Sequence, residues 1–203
     1  MATAPSQAAD LPQVAPTYAA PPAPVSAYDW TGLYLGINGG YGWGRANNNA
    51  GINFSGTDGG LVGGTLGYNW QWGHLVAGLE TDFDWADMSQ RNAAVPATAR
   101  VGWLGTFRGR IGYAMDRVLF YGTGGVAYGD VTLSSAGTRD SNTNVGWTVG
   151  GGVEFAVWQN LTAKIEYKYV DLGRSTVTPA ALGPTNIGWR GSIVTAGINY
   201  KFW

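Results

Sequence analysis

Between Asn144 and Tyr169 apolar and polar side chains alternate, and every charge in the stretch falls on one parity. Trp147, Val149, Val153, Phe155 and Val157 share one side, against Thr148 and Glu154. After a break at Trp158-Gln159-Asn160, Leu161, Ala163, Ile165, Tyr167 and Tyr169 share a side, against Lys164, Glu166 and Lys168. Successive residues of a strand point to opposite faces, so this is a hairpin with one apolar wall and one charged wall. A sheet of such hairpins can close in two ways. The apolar wall turns inward in a water-soluble barrel and outward in a barrel surrounded by hydrocarbon.

The two-residue period recurs from Trp30 to the C-terminus. Leu33, Leu35, Ile37, Tyr41 and Trp43 form the first apolar wall, and Val62, Leu66, Tyr68 and Trp70 the second. In the third run Leu75, Ala77, Leu79, Phe83 and Trp85 oppose Glu80, Asp82 and Asp84. In the fourth, Trp103, Phe107, Ile111 and Tyr113 oppose Thr106, Arg108 and Arg110. The fifth run, about Val118 to Gly129, is apolar or glycine on both parities, and Leu119, Tyr121, Thr123 and Ala127 are assigned to its apolar wall. The hairpin described first supplies runs six and seven. Val194, Ala196, Ile198, Tyr200 and Phe202 line the eighth against Thr195, Asn199 and Lys201.

Tight turns at Trp72-Gly73-His74, Met115-Asp116-Arg117 and Trp158-Gln159-Asn160 alternate with longer polar connections at 45–59, 87–99, 130–143 and 174–186. An even number of ~10-residue strands, with short turns at one end and long connections at the other, is the pattern of an outer-membrane barrel. The expected fold is all-β, an eight-stranded antiparallel transmembrane β-barrel over residues 29–203.

Composition narrows the alternatives. With 33 glycines, 10 tryptophans and only 12% charged residues, the chain is too aromatic for disorder and too rich in glycine for a helical bundle. A net charge of −1 gives no electrostatic footprint for nucleic acid. Cysteine is absent, which removes disulfides, thiolate metal sites and a cysteine nucleophile. The single histidine, His74, sits in a tight turn without metal-ligand partners. No run of ~18 apolar residues encodes a membrane helix. Residues 1–28 hold nine alanines, six prolines and no Lys or Arg. Proline blocks helix and ladder bonding, so residues 9–28 read as an extended periplasmic tether. Ser6-Gln7-Ala8 has the small-x-small form of a secretory cleavage site, and residues 1–8 read as the remnant of a signal peptide.

Nine charges, Glu80, Asp82, Asp84, Arg108, Arg110, Glu154, Lys164, Glu166 and Lys168, occupy the polar parity of runs three, four, six and seven. Five acids against four bases is the near-neutral balance that mutual burial requires. A cation at mid-bilayer on the lipid face costs about 2–4 kcal/mol, which explains why these runs carry none on the other wall. The aromatics gather near run ends. Trp30, Trp70, Trp72, Tyr113, Tyr121, Trp158, Tyr200 and Phe202 lie toward the short turns; Trp43, Trp85, Trp103, Trp147, Tyr169 and Trp189 lie toward the long connections. Two such rings are expected of side chains seeking both membrane–water boundaries. A soluble lipocalin-like barrel would have to enclose these rings, and eight strands leave too little room. The inward charges are read as a salt-bridged plug, with a channel selectivity ring as the competing reading.

No catalytic, cofactor or metal set emerges. The lumen carboxylates have cationic neighbours, the opposite of what a general acid needs, and no Ser–His–Asp set forms around one turn histidine. Gly150-Gly151-Gly152 leads into a strand, so it is no phosphate loop.

Two segments carry a family resemblance. Gly150 to Ala156, Gly-Gly-Gly-Val-Glu-Phe-Ala, followed by Leu161 to Tyr169, resembles the barrel domain of outer-membrane protein A. There the glutamate of the first segment and the basic-x-Glu pair of the second face the lumen as a salt-bridge network; the matching positions are Glu154, Lys164 and Glu166. The chain is also similar, over about residues 9–203, to the small porin-like outer-membrane immunogenic proteins of alphaproteobacteria. The likeness runs through Ala9-Asp10-Leu11-Pro12, Tyr28 to Tyr34, Arg108 to Tyr113, Tyr121 to Tyr128 and Gly197 to Phe202. That resemblance implies an abundant surface protein whose C-terminal aromatics, here Tyr200 and Phe202, signal to the barrel-insertion machinery; Trp203 extends one residue beyond the family pattern.

The expected function is that of a structural outer-membrane protein, not an enzyme, that supports envelope integrity and presents its long connections outside the cell. A narrow porin-like channel and a loop-based adhesin or ligand-binding protein are the alternatives. The expected partners are outer-membrane lipid and the insertion machinery, the chain acting as a monomer without cofactor.

Overall fold

The computed structural model describes residues 28–48, 54–91, 97–135, 138–177 and 185–202, so the expected signal-peptide remnant at 1–8, residues 9–27 of the expected tether and Trp203 lie outside the described residues. Eight strands follow one another: β1 (Gly32–Asn48), β2 (Phe54–Trp72), β3 (Leu75–Arg91), β4 (Ala97–Met115), β5 (Val118–Ser135), β6 (Thr138–Ala156), β7 (Leu161–Val177) and β8 (Thr185–Lys201). Each pairs antiparallel with the next, and β8 pairs with β1 to close the barrel. No open edge is left among them, so the ladder satisfies its own N–H and C=O groups, as a spanning structure must.

The register fixes the shape. Leu35 pairs with Leu66, then Thr81, Phe107, Val126, Trp147, Asp171 and Arg190, and returns to β1 at Arg45. Starting at 35 and returning at 45 is a stagger of ten residues. With ordinary strand spacings, eight strands staggered by ten tilt by about 40° and close at a radius of about 8 Å.

The strands run 17–19 residues, longer than the ~10 expected. Much of the polar sequence assigned to long connections is ladder: Arg45–Asn48, Phe54–Gly59, Asp87–Arg91, Ala97–Ala99, Asp130–Ser135, Thr138–Thr143, Arg174–Val177 and Thr185–Asn186 all lie in strands. Apolar–polar alternation marks a strand only where one wall meets lipid. Beyond that level both walls are polar and the backbone pairs without a readable contrast. Register shifts at Gly44/Arg45, Trp85/Met88, Val101/Trp103 and Leu172/Ser175 all fall toward the long-connection end. The turns at the other end are tight, Gly73 adopting a positive φ of 60° and Asp116 one of 52°.

The apolar wall faces out. Leu35, Ile37, Val62, Leu79, Phe107, Ile111, Val149, Val153, Ile165 and Ile198 are exposed, Ile37 at 71% and Ile165 at 63%. The fifth strand corrects the expectation. Leu119, Tyr121, Thr123 and Ala127 are buried inside the barrel, and Phe120 and Val126 face out. The two-residue turn decides this. It pairs Tyr113 with Phe120, so both rings share the outer face and Tyr121 turns inward.

Candidate functional site: a sealed lumen

The strands deliver three layers of side chains to the barrel interior. All nine predicted charges are buried there, at no more than 3% exposure. Arg108 on β4 sits at the centre. Its guanidinium reaches Glu80 at 2.6 Å and Asp82 at 2.5 Å on β3, pairs with Glu166 on β7, and donates to Thr123 Oγ1 at 2.9 Å. Glu80, Asp82 and Glu166 bring one oxygen each within 4.8 Å of one another, a spacing that suits a cation; the cation they surround is Arg108.

Toward the short-turn end Arg110 pairs with Glu154, which also accepts from Thr162 and, at 2.8 Å, from Asn199. Lys164 lies 3.2 Å from Glu80. Toward the other end Lys168 bridges Asp82 at 3.1 Å and Asp84 at 3.5 Å. Thr65 donates to Asp82 at 2.9 Å and accepts from Asn38 at 3.1 Å. Each of the four lumen cations therefore has an acid partner on another strand. Burying a charge costs several kcal/mol, and pairing combined with hydrogen bonding is what offsets it.

Two tyrosines complete the network: Tyr34, unassigned in the sequence, and Tyr121, which the sequence reading places on the outer wall. Tyr34 donates to Glu80 at 2.8 Å and accepts from Arg110 at 3.2 Å. Tyr121 donates to Glu166 at 3.0 Å, and the Arg110 guanidinium lies 3.8 Å from its ring centroid. Each phenol lies over a glycine: a Cβ at Gly67 would come 2.3 Å from Tyr34 Oη, and one at Gly152 would come 2.7 Å from Tyr121 Oη. A bare backbone on the facing strand is what admits each ring.

Apolar clusters stand above and below the ionic layer. At the long-connection end Leu61, Leu104, Val170, Leu172, Trp189 and Ile193 pack together. At the short-turn end Trp30, Val76, Ala114, Leu119, Tyr121 and Ala156 do the same, with Tyr28 against them. The signal was present: Leu61, Leu104, Val170, Leu172 and Ile193 sit on the polar parity, on the long-connection side of the polar and charged positions.

Three predicted belt residues belong to these clusters instead, Tyr121 among them. Trp30 and Trp189 are each 2% exposed, inside the barrel. Trp30 precedes β1, so strand alternation does not govern it, and its chain turns across the mouth. Its N–H bonds to Gln71 Oε1 at 2.7 Å and its indole N–H to the Asp116 carbonyl at 3.2 Å, on the far side of the opening. Trp189 has the inward parity of β8, and its ring fills the space left by Gly44 and Gly191. The other predicted belt residues, Trp43, Trp70, Trp85, Trp103, Tyr113, Trp147, Trp158, Tyr169 and Tyr200, are exposed or half-exposed on the outer wall. Placed by register and tilt, the upper and lower groups are roughly 20–25 Å apart, close to the height of an outer-membrane apolar band. Tyr200 and Phe202 of the expected insertion signal also face out, with ring centroids 5.4 Å apart. His74 is exposed, stacks on Tyr113 at 5.4 Å, and has Nδ1 3.0 Å from the Ala114 carbonyl oxygen.

An antiparallel barrel with apolar residues and aromatic belts outside and ions inside is an outer-membrane β-barrel protein. The chain belongs to the outer membrane protein beta-barrel domain family, which matches residues 14–202. It is 37% identical to the 31 kDa outer-membrane immunogenic protein of Brucella melitensis over 208 residues, covering 89% of this chain and 87% of the relative. It is 39% identical over 181 residues to the 22 kDa outer membrane protein of Rhizobium leguminosarum, covering 89% and 82%. Its fold is similar to that of Neisserial surface protein A, with a TM-score of 0.58 and 15% identity over 85% of this chain and 98% of that one. The protein resides in the outer membrane.

Proposed function

We propose that the protein is a non-conducting structural barrel that contributes to envelope integrity and presents the connections at 49–53, 92–96, 136–137 and 178–184 to the outside of the cell. The observation that carries this reading is the filled lumen: an ionic layer with no charged residue more than 3% exposed, between two apolar clusters. Ion passage would require breaking several buried pairs at once, each leaving a charge unpaired at a cost of about 3–5 kcal/mol. The Brucella relatives are called immunogenic proteins, which agrees with connections displayed at the surface. In this reading the N-terminal tether lies in the periplasm, the insertion machinery recognises Tyr200 and Phe202, and the chain works as a monomer embedded in outer-membrane lipid. Planar-bilayer recording on the purified protein tests the function. A silent bilayer is expected, and reproducible discrete conductance steps would replace this reading with the narrow-channel alternative.

A further inference from the structure

The outer wall carries a pair of like charges at one place. Arg45 on β1 and Arg190 on β8 are directly opposite each other in the ladder. Both are exposed on the lipid-facing side. Directly opposed like charges destabilise a sheet unless an anion lies between or beside them. One anion is supplied: Asp171, the partner of Arg190 on β7, meets Arg190 Nε at 2.9 Å. Arg190 nevertheless keeps 54% of its side chain exposed, and a guanidinium has five N–H donors, so one carboxylate does not exhaust it. Arg45 makes no ion pair with any described acid. The nearest other acid on this wall, Asp58, accepts from the Tyr41 hydroxyl.

Height identifies what meets them. Arg45 lies two residues beyond Trp43 on the same face, and Arg190 two residues beyond Ser192, the ladder partner of Trp43. Both arginines therefore stand just above the aromatic belt, about 5 Å further along the barrel, at the level of lipid headgroups. A phosphate there fits the pair: planar guanidiniums bind phosphate oxygens through paired, charge-assisted bonds.

We propose that Arg45 and Arg190 form a clamp for a phosphate on the headgroup of an outer-leaflet lipid, the phosphate sharing Arg190 with Asp171. The inference rests on the outward orientation of the long-connection end. Binding in detergent does not depend on orientation, so the two can fail separately.

The test uses the full chain folded in zwitterionic detergent, with diphosphorylated lipid A or its dephosphorylated form as the probe and native mass spectrometry as the readout. The wild-type protein is expected to retain the phosphorylated lipid, with retention falling about tenfold in Arg45→Gln/Arg190→Gln. Asp171→Asn, which removes the competing anion, is expected to raise retention. Arg117→Gln, at the opposite end of the barrel, is expected to leave it unchanged. Equal retention by the double variant, equal retention of the dephosphorylated lipid, or an equal loss in Arg117→Gln would overturn the proposal. Surface labelling of the 136–137 connection in intact cells tests the orientation separately.

Discussion

Lys164 Nζ lies 3.2 Å from Glu80 Oε2, and the two residues stand on β7 and β3, strands on opposite sides of the barrel. The contact spans the lumen. Arg108 joins the same carboxylate from β4 and links it to Glu166 on β7. The barrel is thus braced across its width as well as laddered around its wall, and Arg108 is the hub of the brace.

Arg108→Ala should be the most damaging of the lumen changes. It leaves Glu80, Asp82 and Glu166 mutually repelling in a site buried from bulk solvent. A loss of about 3–5 kcal/mol is expected in equilibrium urea unfolding from lipid vesicles. Arg108→Lys should recover only part of it, because a point charge cannot bond acids on β3 and β7 at once. Full recovery by lysine would show that charge alone, without the fork, holds the brace.

On the outer wall the effect of a charge should depend on depth. Ile165 lies near mid-height and Val145 close to the upper belt, and both are exposed. Ile165→Arg should cost about 2–4 kcal/mol and Val145→Arg about 0–1 kcal/mol. Equal costs in the same urea titration would contradict the placement of the apolar band.

Trp30 closes the short-turn mouth with two hydrogen bonds to hairpin ends on other strands. Trp30→Ala removes that ring and its indole hydrogen bond to Asp116 and opens a cavity in the apolar cluster, at an expected cost of about 3–5 kcal/mol. The ionic layer lies beyond it, so the variant should still be silent in planar bilayers. A conducting Trp30→Ala barrel would show that the stopper, and not the charge network, is the seal.

Tyr28, beside that stopper and outside the strands, titrates late. Burial of its phenol, with Glu154 and Asp29 nearby, pushes its pKa up to about 12. The neutral form is the one the fold favours. Its contribution is complete below the ordinary tyrosine range near about 10 and is lost as pH rises toward about 12. A difference absorbance titration of wild type against Tyr28→Phe should show one phenol ionising near about 12; a midpoint near about 10 would place Tyr28 in open water.

The apolar wall and the nine lumen charges were legible because lipid on one side and ion pairing on the other impose opposite demands on alternate residues. Legibility failed where that contrast fades. In β5 both parities are apolar or glycine, and only the two-residue turn that sets Phe120 opposite Tyr113 decides which way Tyr121 points. Trp30 and Trp189 resemble belt residues by composition and position along the chain. One lies ahead of the first strand and the other has the inward parity, so local geometry, not residue type, places them. The apolar caps were hidden because the inner wall reads as polar through its ionic layer, although Leu104 and Ile193 break that rule beside it. The strands were underestimated for the same reason: above the membrane, polar residues on both walls carry no period.

The central claim is that the oily wall meets lipid and the charged wall meets itself. Because the chain has no cysteine, single cysteines at successive positions 161–169 of β7 can each carry one spin label. In folded protein reconstituted into vesicles, the odd positions should collide freely with oxygen dissolved in the bilayer. The even positions, including 164, 166 and 168, should be shielded from oxygen or fail to label. High oxygen accessibility at the even positions, with the odd positions shielded, would contradict the account.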